Sequence, residues 1–187
     1  IIPLDFARAT TTGRNFRIDI TCTTYNPSGR KEGTKSAYFT ATIPNADPFL
    51  PEITNISYYD SAVNYGVIPS TWGIMVQNKS KPAFEVETKG TYESKISDFW
   101  AQANNEYTSY GSNHFEPAEQ YTFGIGTGAI KKSGVFPVKI NIHDSRGNNL
   151  NHEFNAFSVE PYFSPTINEF TVLRCNYLGV EKKDGTY

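Results

Sequence analysis

His143, Asp144 and Ser145 are the three residue types of a hydrolytic relay: a base, an orienting carboxylate and a nucleophile. Their spacing argues against that chemistry. Consecutive residues on a strand and its turn project to opposite sides, so these three cannot relay a proton among themselves. Asp144 and Ser145 are instead expected to stabilise a turn by bonding nearby backbone groups. The run Gly124-Ile125-Gly126-Thr127-Gly128 has the glycine content of a phosphate cradle, which needs a helix directly after it. Residues 129–134 read as loop and then strand, so the run is expected to connect strands. His114, His143 and His152 have no partner at zinc-ligand spacing, and Asp144, Asn148 and Asn149 fit no calcium loop. No catalytic residue, metal or cofactor is therefore assigned. Cys22 and Cys175 show no metal-type spacing and are expected to be buried free thiols.

Residues 98–123 are the most suggestive stretch for recognition. Phe99, Trp100, Tyr107, Tyr110, Phe115, Tyr121 and Phe123 are interleaved there with Asn, Ser, Gln and Gly. Rigid aromatics supply contact area at low entropy cost, and their faces stack on sugar rings. Tyr107, Tyr110 and Phe115 are assigned to a ligand-binding surface. Trp100 and Phe123 are assigned to the core.

The elements that must position these residues are strands. In residues 135–147, Val138, Ile140 and Ile142 alternate with Lys139, Asn141 and His143, the period of a strand with one face buried. The run closes on Asp144-Ser145-Arg146-Gly147. The same design occurs earlier, where Phe16, Ile18, Ile20 and Cys22 precede Tyr25-Asn26-Pro27-Ser28-Gly29. Gly29 and Gly147 stand 118 positions apart. The restarts Pro51-Glu52-Ile53-Thr54 and Pro165-Thr166-Ile167-Asn168 stand 114 apart. Together they indicate a repeat of about 115 residues. Residues 1–44 then end one domain, with strands at 14–25 and 36–43. Residues 45–163 form the complete copy, and 164–187 begin another. In the complete copy strands are expected at 52–59, 73–76, 83–88, 94–103, 106–110, 120–123, 134–143 and 151–159, with a hairpin turn at Asn104-Asn105. This is the pattern of an all-β, antiparallel sandwich.

The 187 residues are 38% hydrophobic and 14% aromatic, enough for a packed core, and the chain begins without Met, as expected of a piece of something longer. The net charge of −2 gives no reason to expect nucleic acid as a partner. No apolar run reaches the roughly 20 residues of a membrane span, so no membrane insertion is expected.

The order of several short motifs resembles the tail-fibre and minor structural proteins of siphophages of Gram-positive hosts. These motifs are Thr23-Thr24-Tyr25, Gln77-Asn78-Lys79-Ser80, Asp144-Ser145-Arg146-Gly147, Tyr162 with Pro165 and Ile167, and Arg174-Cys175. Residues 98–123 depart from the family's pattern. The resemblance implies tandem immunoglobulin-like sandwiches in a phage tail, with other tail proteins as partners and attachment to the bacterial surface as the role. It carries over no catalytic residue. A host cell-wall saccharide is the expected ligand, and a trimer is the expected state of a full-length fibre. A bacterial surface adhesin or carbohydrate-binding module is the alternative. A polysaccharide-degrading enzyme is the least favoured reading, since it needs converging carboxylates.

Overall fold

The computed structural model describes residues 4–112 and 118–169, and these form an all-β protein. A 3₁₀ turn at Leu4–Ala9 leads into β1 (Asn15–Tyr25) and β2 (Lys31–Thr42), which pair antiparallel as a separate two-stranded sheet. The proline-rich segment 43–51 follows. Eight more strands come next: β3 (Glu52–Asp60), β4 (Met75–Val76), β5 (Pro82–Lys89), β6 (Ile96–Ala103), β7 (Tyr107–Ser112), β8 (Gln120–Gly126), β9 (Gly134–Asp144) and β10 (Asn149–Glu160). Each overlaps a strand expected from the sequence.

These eight strands form two sheets, in the orders β4-β10-β9-β6-β7 and β3-β5-β8. Every pairing is antiparallel except the short parallel contact of β4 with β10. The sheets enclose one core. Phe84 and Val86 of β5 and Phe123 and Ile125 of β8 meet Phe99, Ala101 and Ala103 of β6 and Phe136, Val138, Ile140 and Ile142 of β9. Strand alternation supplies this set: β9 is buried at every second residue from Phe136 to Asp144. Phe136 stacks on Phe157 at 4.7 Å, and Phe99 on Phe123 at 3.8 Å.

Two bulges reset the alternation. In β10 the register shifts between Asn155 and Phe157. Phe154 and Phe157 therefore both pack on the core although they are three positions apart. In β6 the register shifts between Ile96 and Asp98. The buried set becomes Ile96, Phe99, Ala101 and Ala103, and Trp100 turns to solvent at 40% exposure. Its assignment to the core is thus overturned. Counting by twos from Ile96 places Trp100 inside, and one extra residue in the strand places it outside. Phe123 is buried as expected.

Sustained helical periodicity is absent from the sequence, and the helices formed are short. Helix α1 (Ser61–Asn64) is capped by Asp60, whose Oδ1 accepts from Ala62 N at 2.9 Å and from Lys81 N at 2.8 Å. Asn104 and Asn105 take φ of 52° and 56° between β6 and β7, as a tight hairpin requires. Segment 97–103 is strand, not helix. Gly124 and Gly126 end β8, and no helix follows in 127–133.

The hairpin β1–β2 exposes both faces over much of its length. Cys22 lies there as an exposed free thiol, so the expectation of a buried one is overturned. Its neighbours on the same alternating row, Ile18 and Ile20, have no facing sheet among the described residues, so nothing covers Cys22 either. Cys175 lies outside the described residues.

Candidate functional site

The turn between β9 and β10 carries a dense cluster of polar bonds. Asp144 Oδ1 accepts from Arg146 N at 3.0 Å and from Asn148 N at 2.8 Å. Gly147 N donates to Asp144 O at 2.9 Å, with Gly147 at φ 83°. The turn at Asn26 repeats this design. Asn26 Oδ1 accepts from Ser28 N at 3.1 Å and Arg30 N at 2.9 Å, Gly29 N donates to Asn26 O at 2.9 Å, and Gly29 has φ 81°. The flanking strands match as well: β1 and β9 each have 11 residues, and β2 and β10 each have 12. The 118-residue offset seen in the sequence is therefore an offset between two equivalent hairpins.

His143, Asp144 and Ser145 make three separate contacts and no relay. His143 Nδ1 bonds Asp98 Oδ1 across β6 and β9. Asp144 is spent on its own turn. Ser145 Oγ donates to Thr11 O and accepts from Lys95 N.

Arg146 is the residue that sequence reasoning missed. Its side chain is fully buried, and four backbone carbonyls surround it. Nε donates to Thr10 O at 2.6 Å, Nη1 to Thr91 O at 2.8 Å, and Nη2 to Ala7 O at 2.8 Å and also to Tyr92 O. Asp144 Oδ2 lies 3.9 Å from Nη1, an ion pair too long to be a hydrogen bond. Burial lowers the Arg146 pKa, and Asp144 and Glu93 oppose that shift. A guanidinium stays charged under such a push. One side chain thus ties three elements together: the 3₁₀ turn before β1, the β9–β10 turn, and the loop at residues 90–94.

That loop is itself tightly constrained. A Cβ on Gly90 would meet Ser94 O at 1.9 Å, so only glycine fits there. Tyr92 and Glu93 both take positive φ, a conformation L-residues adopt at a cost. Two of the four carbonyls that Arg146 captures belong to Thr91 and Tyr92, so the cation braces the strained turn. Asn149 N donates to Asn45 Oδ1 at 2.8 Å, and Asn148 Nδ2 to Phe49 O at 3.0 Å. The β9–β10 turn therefore also grips the proline-rich segment. This cluster is a joint between the hairpin and the two-sheet body.

Of the residues assigned to binding, Tyr107 and Tyr110 lie on the edge strand β7, in register with Ala103 and Trp100. Phe115 lies outside the described residues. Among the described residues no three His, Cys, Asp or Glu side chains converge to hold a metal. No described helix is long and apolar enough to cross a membrane.

No curated protein matches the chain. The family model described as "Siphovirus protein of unknown function (DUF859)" matches residues 1–179, nearly the whole length. The chain belongs to this family of siphovirus proteins.

Proposed function

We propose that this chain is an immunoglobulin-like segment of a siphophage tail fibre or baseplate protein, which positions or forms a surface for recognising the host cell wall. The observation that carries the reading is the recurrence of one hairpin, with its turn bonds, 118 residues apart in a siphovirus protein. Tandem units joined by bonded seams suit an appendage that must hold a receptor-binding surface away from the virion. The strand order supports the immunoglobulin-like assignment. Sheet β3-β5-β8 corresponds to strands A, B and E of that fold, and β10-β9-β6-β7 to G, F, C and C′. On this reading the hairpin β1–β2 holds the last two strands of a preceding unit, and residues 45–163 are one complete unit. Other tail proteins are its neighbours, and any trimeric symmetry is imposed by parts of the fibre outside this segment.

Immunogold electron microscopy of the parent phage, with antibody raised against this chain, tests the assignment. Gold at the tail tip or fibres is expected. Gold on the capsid would overturn it.

A further inference from the structure

Trp100 faces solvent on the outer surface of the five-stranded sheet, at an interior strand. A large ring left in water on a sheet face forgoes the burial that normally stabilises it. Its surroundings are polar and ordered in rows. Trp100 is in register with Asn141 of β9, and Asn141 with Asn151 of β10. Asn141 Nδ2 donates to Asn151 Oδ1, so the two amides are held in place. One row away, Gln102, Lys139 and Glu153 stand in register, with Lys139 Nζ 3.4 Å from Glu153 Oε1. One row the other way, Asp98 bonds His143. A depression of about 160 Å³ lies between Trp100, Lys139, Asn141, Asn151 and Glu153.

We propose that this face is a saccharide-binding platform, with Trp100 as the stacking surface and Asn141, Asn151, Lys139 and Glu153 as hydrogen-bond partners for ring hydroxyls. The inference rests on the host-surface reading above and names its ligand class: a neutral pyranose chain. Three features select that class. Among the described side chains the face carries one flat aromatic ring, Trp100, set among polar groups, which suits a ring with apolar C–H faces and hydroxyl edges and does not suit an apolar protein partner. Its carboxylates are already engaged, Asp98 by a bond to His143 and Glu153 by the ammonium of Lys139, so neither stands free for a charged polymer. Its donors and acceptors are fixed by cross-strand bonds before any ligand arrives, which lowers the ordering cost of binding.

The test uses the 187-residue chain, neutral wall polysaccharides extracted from a panel of Gram-positive strains, and intact cells of the same strains. Binding is read by affinity electrophoresis in polysaccharide gels and by cell pull-down. Trp100→Ala is expected to weaken polysaccharide binding at least about tenfold, the scale of one lost aromatic contact. Trp72→Phe, a change at another exposed tryptophan, is expected to leave binding unchanged. Thermal melts that match the parent chain would show that Trp100→Ala still folds; if they do not match, Asn141→Ala replaces it with the same expectation. Polysaccharide binding that survives both substitutions would overturn this site and leave the host-surface reading standing. Cell binding without polysaccharide binding would do the same. Binding to neither cells nor polysaccharide would overturn both.

Discussion

The guanidinium of Arg146 reaches the carbonyl oxygen of Ala7, 139 residues earlier in the chain, at 2.8 Å. It bridges the ends of the described fold through a fully buried cation. Truncating it removes the guanidinium donor from four carbonyls, of which Ala7 O and Thr91 O keep a backbone donor, Thr10 N and Ser94 N, and strands Asp144 without its counter-charge. Arg146→Ala is expected to destabilise the chain by about 3–5 kcal/mol, the cost of breaking a buried pair. The melting temperature should fall by about 10 °C for a chain of this size. Arg146→Lys should recover only part of this, because an ammonium lacks the planar fork. Differential scanning calorimetry checks both, and an unchanged Arg146→Ala melt would refute the joint.

The two equivalent turns should respond differently to the same exchange of side chains. Asp144 is buried beside Arg146, whereas Asn26 is only partly buried in the hairpin. Asp144→Asn keeps an acceptor for the turn amides but removes the counter-charge. It should cost about 1–3 kcal/mol, the range for a disrupted buried polar group. Asn26→Asp keeps the acceptor for Ser28 N and Arg30 N and removes no counter-charge, so it should stay within about 0.5 kcal/mol. Urea unfolding of both variants measures the contrast.

Gly90 is expected to tolerate no side chain. The methyl of Gly90→Ala would sit 1.9 Å from Ser94 O, a backbone atom that cannot swing aside. The loop must shift, and with it the carbonyls that Arg146 holds. The expected loss is at least about 1–3 kcal/mol, the usual cost of overpacking. Hydrogen exchange should rise first at residues 90–95, and protection unchanged there would contradict the prediction.

Phe136 is fully buried and stacks on Phe84 and Phe157 between the two sheets. Phe136→Ala should cost about 3–5 kcal/mol through lost transfer energy and a cavity. The matched substitution Val135→Ala, on the neighbouring residue at 59% exposure, should be nearly silent. Chemical denaturation of the pair tests whether β9 is read in the correct phase.

The long core strands were legible because each has a stretch of clean alternation. Phe84, Val86 and Thr88 point in while Glu85 and Glu87 point out, and the sequence states this directly. The bulges were not legible. Nothing in Ile96-Ser97-Asp98 marks an inserted residue, yet that residue decides whether Trp100 faces core or water. The offset between turns was visible because Gly29 and Gly147 both close a turn at positive φ. Arg146 was invisible for another reason. Its hydrogen-bond acceptors lie 54 to 139 positions away and are all backbone carbonyls, which carry no sequence signature. The proposed stacking ring, Trp100, lies within the same stretch 98–123 that the sequence singles out for recognition.

In the turn at Asn26, Ser28 occupies the place that Arg146 holds in the other copy. A single hydroxyl cannot gather four carbonyls from two further segments. A unit packed against that turn would meet a seam without a bolt, while the seam at Arg146 is bolted. On the tandem reading proposed above, bending would concentrate at the unbolted seam, so stiffness would be set by one side chain rather than by the sheets.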